Sequence, residues 1–230
     1  MSNARRPNPL KKVEPILRTY GLILESDQHL PSVVSAIVGK PIHGSWWGHP
    51  QGNKIYPALG ILSQRPDLLL TKLLSRKTTF VQRKLWPEFL TIATSREPWQ
   101  LDHLSANAQK LLDAVQRKGK LSTNEHSKES GKKIGVLGDA ARELESRILV
   151  YGKGFHSEFG SHAKRLKTWD EWARDTQYKW TKVDLAEAKQ SFENIALKFK
   201  QSYGVRPKLP WDKSSTSNSR VRKKIVRRKS

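Results

Sequence analysis

Residues 104–169 read LSANAQKLLDAVQRKGKLSTNEHSKESGKKIGVLGDAARELESRILVYGKGFHSEFGSHAKRLKTW, and this stretch decides the fold. Leu104, Ala108, Leu111, Leu112 and Val115 repeat at threes and fours, the spacing of a helix with one buried face. Ser105 is placed to cap its start and Gly119 to end it. Ser122 to Ser130 is polar, with room for only a short second helix. A third helix is predicted from Ile134, with Leu137, Ala140, Ala141, Leu144 and Ile148 on one face. Ile148 to Tyr151 reads as a strand and the glycine-rich Gly152 to Ser161 as a hairpin tip. Ala163 to Thr168 is the returning strand, and Trp169 to Ala173 opens another helix. Three short helices followed by a basic two-stranded hairpin spell a winged helix-turn-helix, a shape that fits a DNA groove.

Working outward, Glu14 to Leu24 is expected to be a short helix after Pro15. Leu30 to Val38 is expected to be another, with Pro31 in its first turn and Gly39 past its end. Gln51 to Ser63 continues as a helix in which Pro57 imposes an early turn or a kink. Leu68 to Leu74 and Lys77 to Leu85 form a hairpin around Ser75-Arg76, and Trp86-Pro87 opens a helix through Ala93. Glu97 to His103, with Pro98, is a connector and the best boundary. Near the end, Asp184 caps a helix whose stripe Leu185, Ala188, Phe192, Ile195, Phe199, Tyr203 stops at Gly204 and packs back onto the core. The expected fold class is α+β: N-terminal helices with a β-hairpin packed on a winged helix-turn-helix, then a C-terminal helix. Its divisions are a disordered basic N-terminus at 1–12, an α+β region at 13–98, the winged helix at 99–173, the C-terminal helix at 174–204 and a disordered basic tail at 205–230.

Composition narrows the partners. The chain carries 43 Lys and Arg against 21 Asp and Glu, a net charge of +22 over 230 residues. The first twelve residues hold +4 and the stretch from Gly204 onward holds +9, which leaves +9 for the residues between. Such a balance favours a polyanion. The absence of cysteine excludes disulfides, thiolate metal sites and cysteine nucleophiles. No run of eighteen apolar residues is present, so no membrane partner is expected, and Met1 to Lys12 lacks the apolar region of a secretory signal.

Several residues are placed to meet nucleic acid. Lys132 and Lys133 stand at the start of the third helix, where amides and dipole favour a phosphate. Lys153, Lys164, Arg165 and Lys167 decorate the wing, with His156 and His162 near its tip; Lys72 and Arg83 decorate the first hairpin. Against this, Asp139, Glu143 and Glu145 lie on the third helix beside Arg142 and Arg147, which is not the face of a sequence-reading helix. Phosphate contacts with little base readout are therefore expected, and a winged helix used for protein packing is the competing reading. Trp46 and Trp47, bracketed by Gly44 and Gly48 with His43 and His49 alongside, are either core residues or a stacking platform in a pocket. The two histidines have no nearby carboxylate or thiol, so no metal and no cofactor is expected. The tail from Ser219 to Lys229 carries seven positive charges in eleven residues. It suits a phosphate grip, a nuclear address in a eukaryote, a membrane-surface helix or a solubilising tail.

Gly44-Ser45-Trp46-Trp47-Gly48-His49-Pro50, Thr71-Lys72-Leu73, Lys77-Thr78-Thr79-Phe80-Val81 and Leu85-Trp86-Pro87 together resemble a little-characterised, mostly bacterial family called AlkZ-related. The resemblance continues through Phe155 to Lys164 and Trp169-Asp170-Glu171-Trp172 and covers about residues 30–173. The relatives behind the label are winged-helix DNA glycosylases that remove alkylated or cross-linked bases. Their catalytic motif is a glutamine, an apolar residue, then aspartate or glutamine, and Gln100-Leu101-Asp102 has that form. Here it precedes the first helix of the winged helix, whereas those longer enzymes keep theirs near the N-terminus. The resemblance thus implies a DNA-linked fold more than an activity. The leading expectation is binding of double-stranded DNA with a link to repair. The alternatives are a base-excision glycosylase using Gln100 and Asp102, or a protein-interaction module whose basic tails alone meet nucleic acid. The expected location is the cytoplasm, at the nucleoid, in a bacterium and the nucleus in a eukaryote.

Overall fold

The computed structural model describes residues 10–156 and 162–212. It is a mixed α+β fold with ten α-helices and two three-stranded antiparallel sheets among the described residues. Chain order begins with α1 (Val13–Tyr20), β1 (Leu22–Leu24), α2 (Val33–Val38), α3 (Gly52–Gln64), β2 (Leu68–Lys72), β3 (Thr78–Gln82) and α4 (Trp86–Ala93). The first sheet has the order β1-β3-β2. Two expectations shift here. The first helix stops at Tyr20, because Gly21 adopts φ 75° as its cap, and Leu22–Leu24 pairs with Val81–Thr79 instead of continuing the helix. A side chain at Gly21 would also strike Leu85, whose Cδ1 lies 2.7 Å from the position of a Cβ. The second helix starts at Val33 rather than Leu30. Ser32 and Ser35 form a reciprocal capping box there, which fixes the start past Pro31. The β2–β3 hairpin turns at Ser75-Arg76 and α4 forms where expected, but the strands stop at Lys72 and Gln82, and Leu74–Arg76 and Arg83–Leu85, expected to extend them, are single 3-10 turns.

The connector contains one helical turn, α5 (Pro98–Leu101). Next come α6 (Ala106–Lys118), β4 (Lys120–Ser122), α7 (Thr123–Ser130), α8 (Ile134–Ser146), β5 (Tyr151–His156) and β6 (His162–Lys167). Ser105 Oγ accepts from the Ala108 amide and caps α6, and Gly119 follows it at φ 72°. The second sheet has the order β4-β6-β5. The strand β4 was not anticipated: it is three residues long, pinned by Leu121, which is buried opposite Leu166. The expected strand at Ile148–Tyr151 begins only at Tyr151. Ile148, Leu149 and Val150 instead plug the core as a buried turn, with Ile148 at φ 49°. Gly152 therefore lies inside β5, not at a tip. Glu145 Oε1 fills the space that a Cβ there would need, the close approach that glycine in a strand permits. The outer half of the expected tip, 157–161, lies outside the described residues.

Last come α9 (Trp169–Asp175) and α10 (Leu185–Tyr203), the latter capped by Asp184 and ended by Gly204 as expected. Ala188, Phe192, Ile195, Ala196 and Phe199 of α10 bury in the largest core cluster with Phe89, Leu90 and Trp169. A separate cluster joins Leu111, Val115, Leu137, Leu144 and Leu166 between α6, α8 and the second sheet. The expected tail is folded in its first part. Leu209 is buried, Arg206 pairs with Asp212 at 2.6 Å, and the Lys208 carbonyl accepts from the Ser75 amide at 2.7 Å. At the other end Leu10, expected to be disordered, is buried against Val13 and Leu17. The rest of both tails, 1–9 and 213–230, lies outside the described residues. No helix among the described residues is long and apolar enough to cross a membrane.

Candidate nucleic-acid interface

The register of the second sheet collects cations on one side. Lys167 opposes both Lys120 and Tyr151, and Arg165 opposes both Ser122 and Lys153. Opposed residues of an antiparallel pair point the same way. Two rows, Lys120–Lys167–Tyr151 and Ser122–Arg165–Lys153, thus share the side opposite Leu121 and Leu166, which bury against α6 and α8. Lys120, Lys153 and Arg165 are exposed there. A groove of about 300 Å³ runs beside Lys120, Ser122, Arg165 and Lys167. Lys167 is bound to Asp175, whose carboxyl it holds below the usual range. His156 and His162 oppose each other at the outer end of the β5–β6 pair.

Lys164 belongs to the other side of the sheet, and its assignment to a phosphate surface is corrected by the geometry. Its ammonium pairs with Glu145, which is only 7% exposed, and its amide donates to Thr123 Oγ1 at 3.0 Å. The third helix is less acidic on its surface than its sequence suggests, for the same reason. Glu143 accepts from the Ser105 amide at 3.0 Å and from Ser105 Oγ at 2.6 Å, so it fastens the start of α6. Arg147 donates to the carbonyls of Trp99 at 3.0 Å and Asp102 at 2.7 Å. What α8 exposes is Gly135, Val136, and Asp139 paired with Arg142. Lys133 is exposed at the helix start; Lys132 is tied to Asn107 Oδ1 at 2.9 Å.

Lys72 and Arg83 lie at opposite ends of the first hairpin. The guanidinium of Arg83 stands over the rings of Trp86, 5.6 Å away, and Tyr178, 5.0 Å away. Lys72 lies near Glu25. Burial raises the pKa of Glu25, and the Trp46 N–H at 3.1 Å and the charge of Lys72 act against that rise.

The tryptophan pair divides its roles. Trp46 is buried with Val34, Ile42 and Ile55. Trp47 stacks on it, ring centres 4.5 Å apart and planes 18° apart, and is 69% exposed. The exposed Tyr56 lies 6.1 Å from Trp47. His43 is exposed, and His49 Nδ1 accepts from the Gln51 amide at 3.1 Å. No group of three metal-ligating side chains gathers among the described residues.

Gln100 and Asp102 are not brought together on a surface. Gln100 is completely buried. Its Oε1 accepts from Ser95 Oγ at 3.0 Å and the Glu97 amide at 3.1 Å, and its Nε2 donates to the carbonyls of Ala93 at 3.2 Å and Arg147 at 3.4 Å. Its hydrogen bonds lock the connector to α4 and the end of α8, and none is left for a substrate. Asp102 is exposed at the end of α5. Nothing local in the sequence marks the open cleft of about 560 Å³ where Arg96, Arg174 and Lys182 meet Trp180.

Comparison with curated proteins and with solved structures finds no match. A family model described as AlkZ related matches residues 17–204, a span that holds both sheets and all but the first turn of the helical framework. The chain therefore belongs to the AlkZ-related family.

Proposed function

We propose that this protein binds double-stranded DNA, in a repair context, with residues 99–173 acting as a winged helix. In this reading α6, α7 and α8 are the three helices, β5 and β6 the wing, and β4 the short strand that anchors it. The 13–98 region and the 174–204 helix brace it from behind. The observation that carries the reading is the cationic side of the second sheet, where Lys120, Lys153 and Arg165 are exposed on two adjacent rows, with Lys133 at the start of α8. Membership of the AlkZ-related family supports the link to repair. The small, nearly neutral exposed face of α8 supports backbone contacts over base readout. Catalysis through Gln100-Leu101-Asp102 receives no such support, since the glutamine is buried and fully bonded.

Replacing Lys120, Lys153 and Arg165 together by alanine is expected to weaken duplex binding and flatten its dependence on salt. Each lost phosphate contact removes about 0.9 from the log–log slope, so the triple variant should lose between about two and three. The fold should survive, because all three side chains are exposed. A chain ended at Asp212 isolates this surface from the basic tail, and it should still bind duplex at low salt. A folded triple variant in that background with unaltered affinity and slope would remove the sheet from the interface.

A further inference from the structure

The cleft at Arg96 has the makings of a second site. It opens between the end of α4, the end of α6 and the start of α9, and is closed on one side by the segment after Tyr178. Among the described residues the guanidinium of Arg96 meets the neutral Gln116, whose amide oxygen, turned inward, accepts from both terminal nitrogens. Lys182 is exposed and has no ion pair among the described residues. Arg174 shares Glu171, at 2.5 Å, with Lys120, at 3.9 Å. The indole N–H of Trp180 has no hydrogen-bond partner among the described residues, though its ring is half-buried against the core. Three cations from three separate segments thus face one cavity with an aromatic wall, and fewer carboxylates than cations oppose them.

We propose that this cleft binds one nucleotide, its base against Trp180 and its phosphate among Arg96, Arg174 and Lys182. A volume of about 560 Å³ accommodates a ligand of that size. Stacking on an indole and charge-assisted bonds to guanidinium groups are how proteins hold such a unit. Asp170 on the same wall supplies an acceptor for an exocyclic amine of the base. A second opening of about 630 Å³ shares Asp170, Arg174 and Trp180 and continues past Tyr178 and Lys179, so the cleft has an exit along which a strand can run. Glu171 links Arg174 to Lys120, which sets the cleft next to the cationic side of the sheet. The proposal extends the duplex-binding reading to a neighbouring place and does not require it.

Three probes test it on the full chain: dAMP alone, a fully paired duplex, and the same duplex with one unpaired adenosine. Tryptophan 180 is changed to alanine, and, because that variant risks the fold, Lys182→Glu at an exposed position is measured beside it. Thermal melts accompany both. The expected result is a preference of about tenfold for the unpaired adenosine, reduced severalfold or more in each folded variant, with paired-duplex affinity little changed by Trp180→Ala. Binding of dAMP that is lost in the same variants supports the cleft equally and identifies a free nucleotide as its ligand. No preference and no dAMP binding, or either one intact in folded Lys182→Glu, overturns the proposal. Failure of paired-duplex binding alone would instead count against the sheet surface and leave the cleft standing.

Discussion

Replacing Lys164 by alanine is expected to destabilise the protein by about 3 kcal/mol without weakening the DNA affinity of the folded fraction. Lys164 sits in a run of wing cations, Lys164-Arg165-Leu166-Lys167, but successive strand residues alternate sides. Arg165 and Lys167 face one way, and Lys164 faces Glu145 with Leu166. The Glu145 side chain is 9% exposed and that of Lys164 22%. Removing the ammonium strands a carboxylate in the core, and breaking such a pair costs about 3–5 kcal/mol; partial access of water to the lysine argues for the lower end. Gly152 admits no relief, because Glu145 already occupies the space above it. Glu145→Gln should be milder, since the charge it leaves unpaired is the lysine, the more exposed partner, and Glu145→Gln with Lys164→Met should recover most of the loss. Urea unfolding measures the stabilities, and duplex titration below the melting range measures the affinity. A loss under 1 kcal/mol together with weaker duplex binding would return Lys164 to the interface.

That example marks what the sequence exposes and what it hides. Helix ends were legible wherever a cap is local: Ser105 and Asp184 at starts, Gly119 and Gly204 at ends. The stripe of α10 was legible because nineteen residues allow the helical period to repeat. The strands β1 and β4 were not, since each is three residues long and takes its identity from a distant partner, Val81 in one case and Leu166 in the other. Gln100-Leu101-Asp102 matched a catalytic pattern, yet the burial of Gln100 depends on Ala93 and Arg147, and spacing along the chain does not encode that. The apparent acidity of α8 dissolved for a related reason: Glu143 and Glu145 are used inside, by Ser105 and Lys164. The cleft is the extreme case. Arg96, Arg174 and Lys182 come from segments that meet only in the folded protein, so no motif announces them.

Trp46→Ala and Trp47→Ala are expected to part ways, although the residues are adjacent. Trp46 fills the cluster of Val34, Ile42 and Ile55, so its truncation leaves a cavity and should cost about 3–5 kcal/mol. It also removes the N–H donated to Glu25. That bond favours ionised Glu25, whereas burial raises its pKa above the value of the unfolded chain. Loss of the bond raises the folded pKa further, so the deficit from this source grows as pH rises through the titration of Glu25 and fades below it. Trp46→Phe keeps an aromatic ring and removes the donor; the cavity it leaves costs the same at every pH, so the pH-dependent part of its deficit reports the bond. Trp47 is different. It lies flat on Trp46 and is 69% exposed, so Trp47→Ala should cost only the stacking contribution, about 0.5–1.5 kcal/mol. The stacked face is occupied by Trp46, which leaves the outer face, beside Tyr56, for a base. If a base uses it, Trp47→Ala should weaken binding of a single-stranded oligonucleotide by about fivefold to tenfold, consistent with roughly 1–3 kcal/mol per stacked base. Thermal melts across pH, with oligonucleotide titrations of the same samples, separate these effects. Equal destabilisation by both alanine variants would contradict the division of roles. Unchanged oligonucleotide affinity in Trp47→Ala would reduce Trp47 to a cover for Trp46 and leave the cleft at Arg96 as the remaining place for an unpaired base.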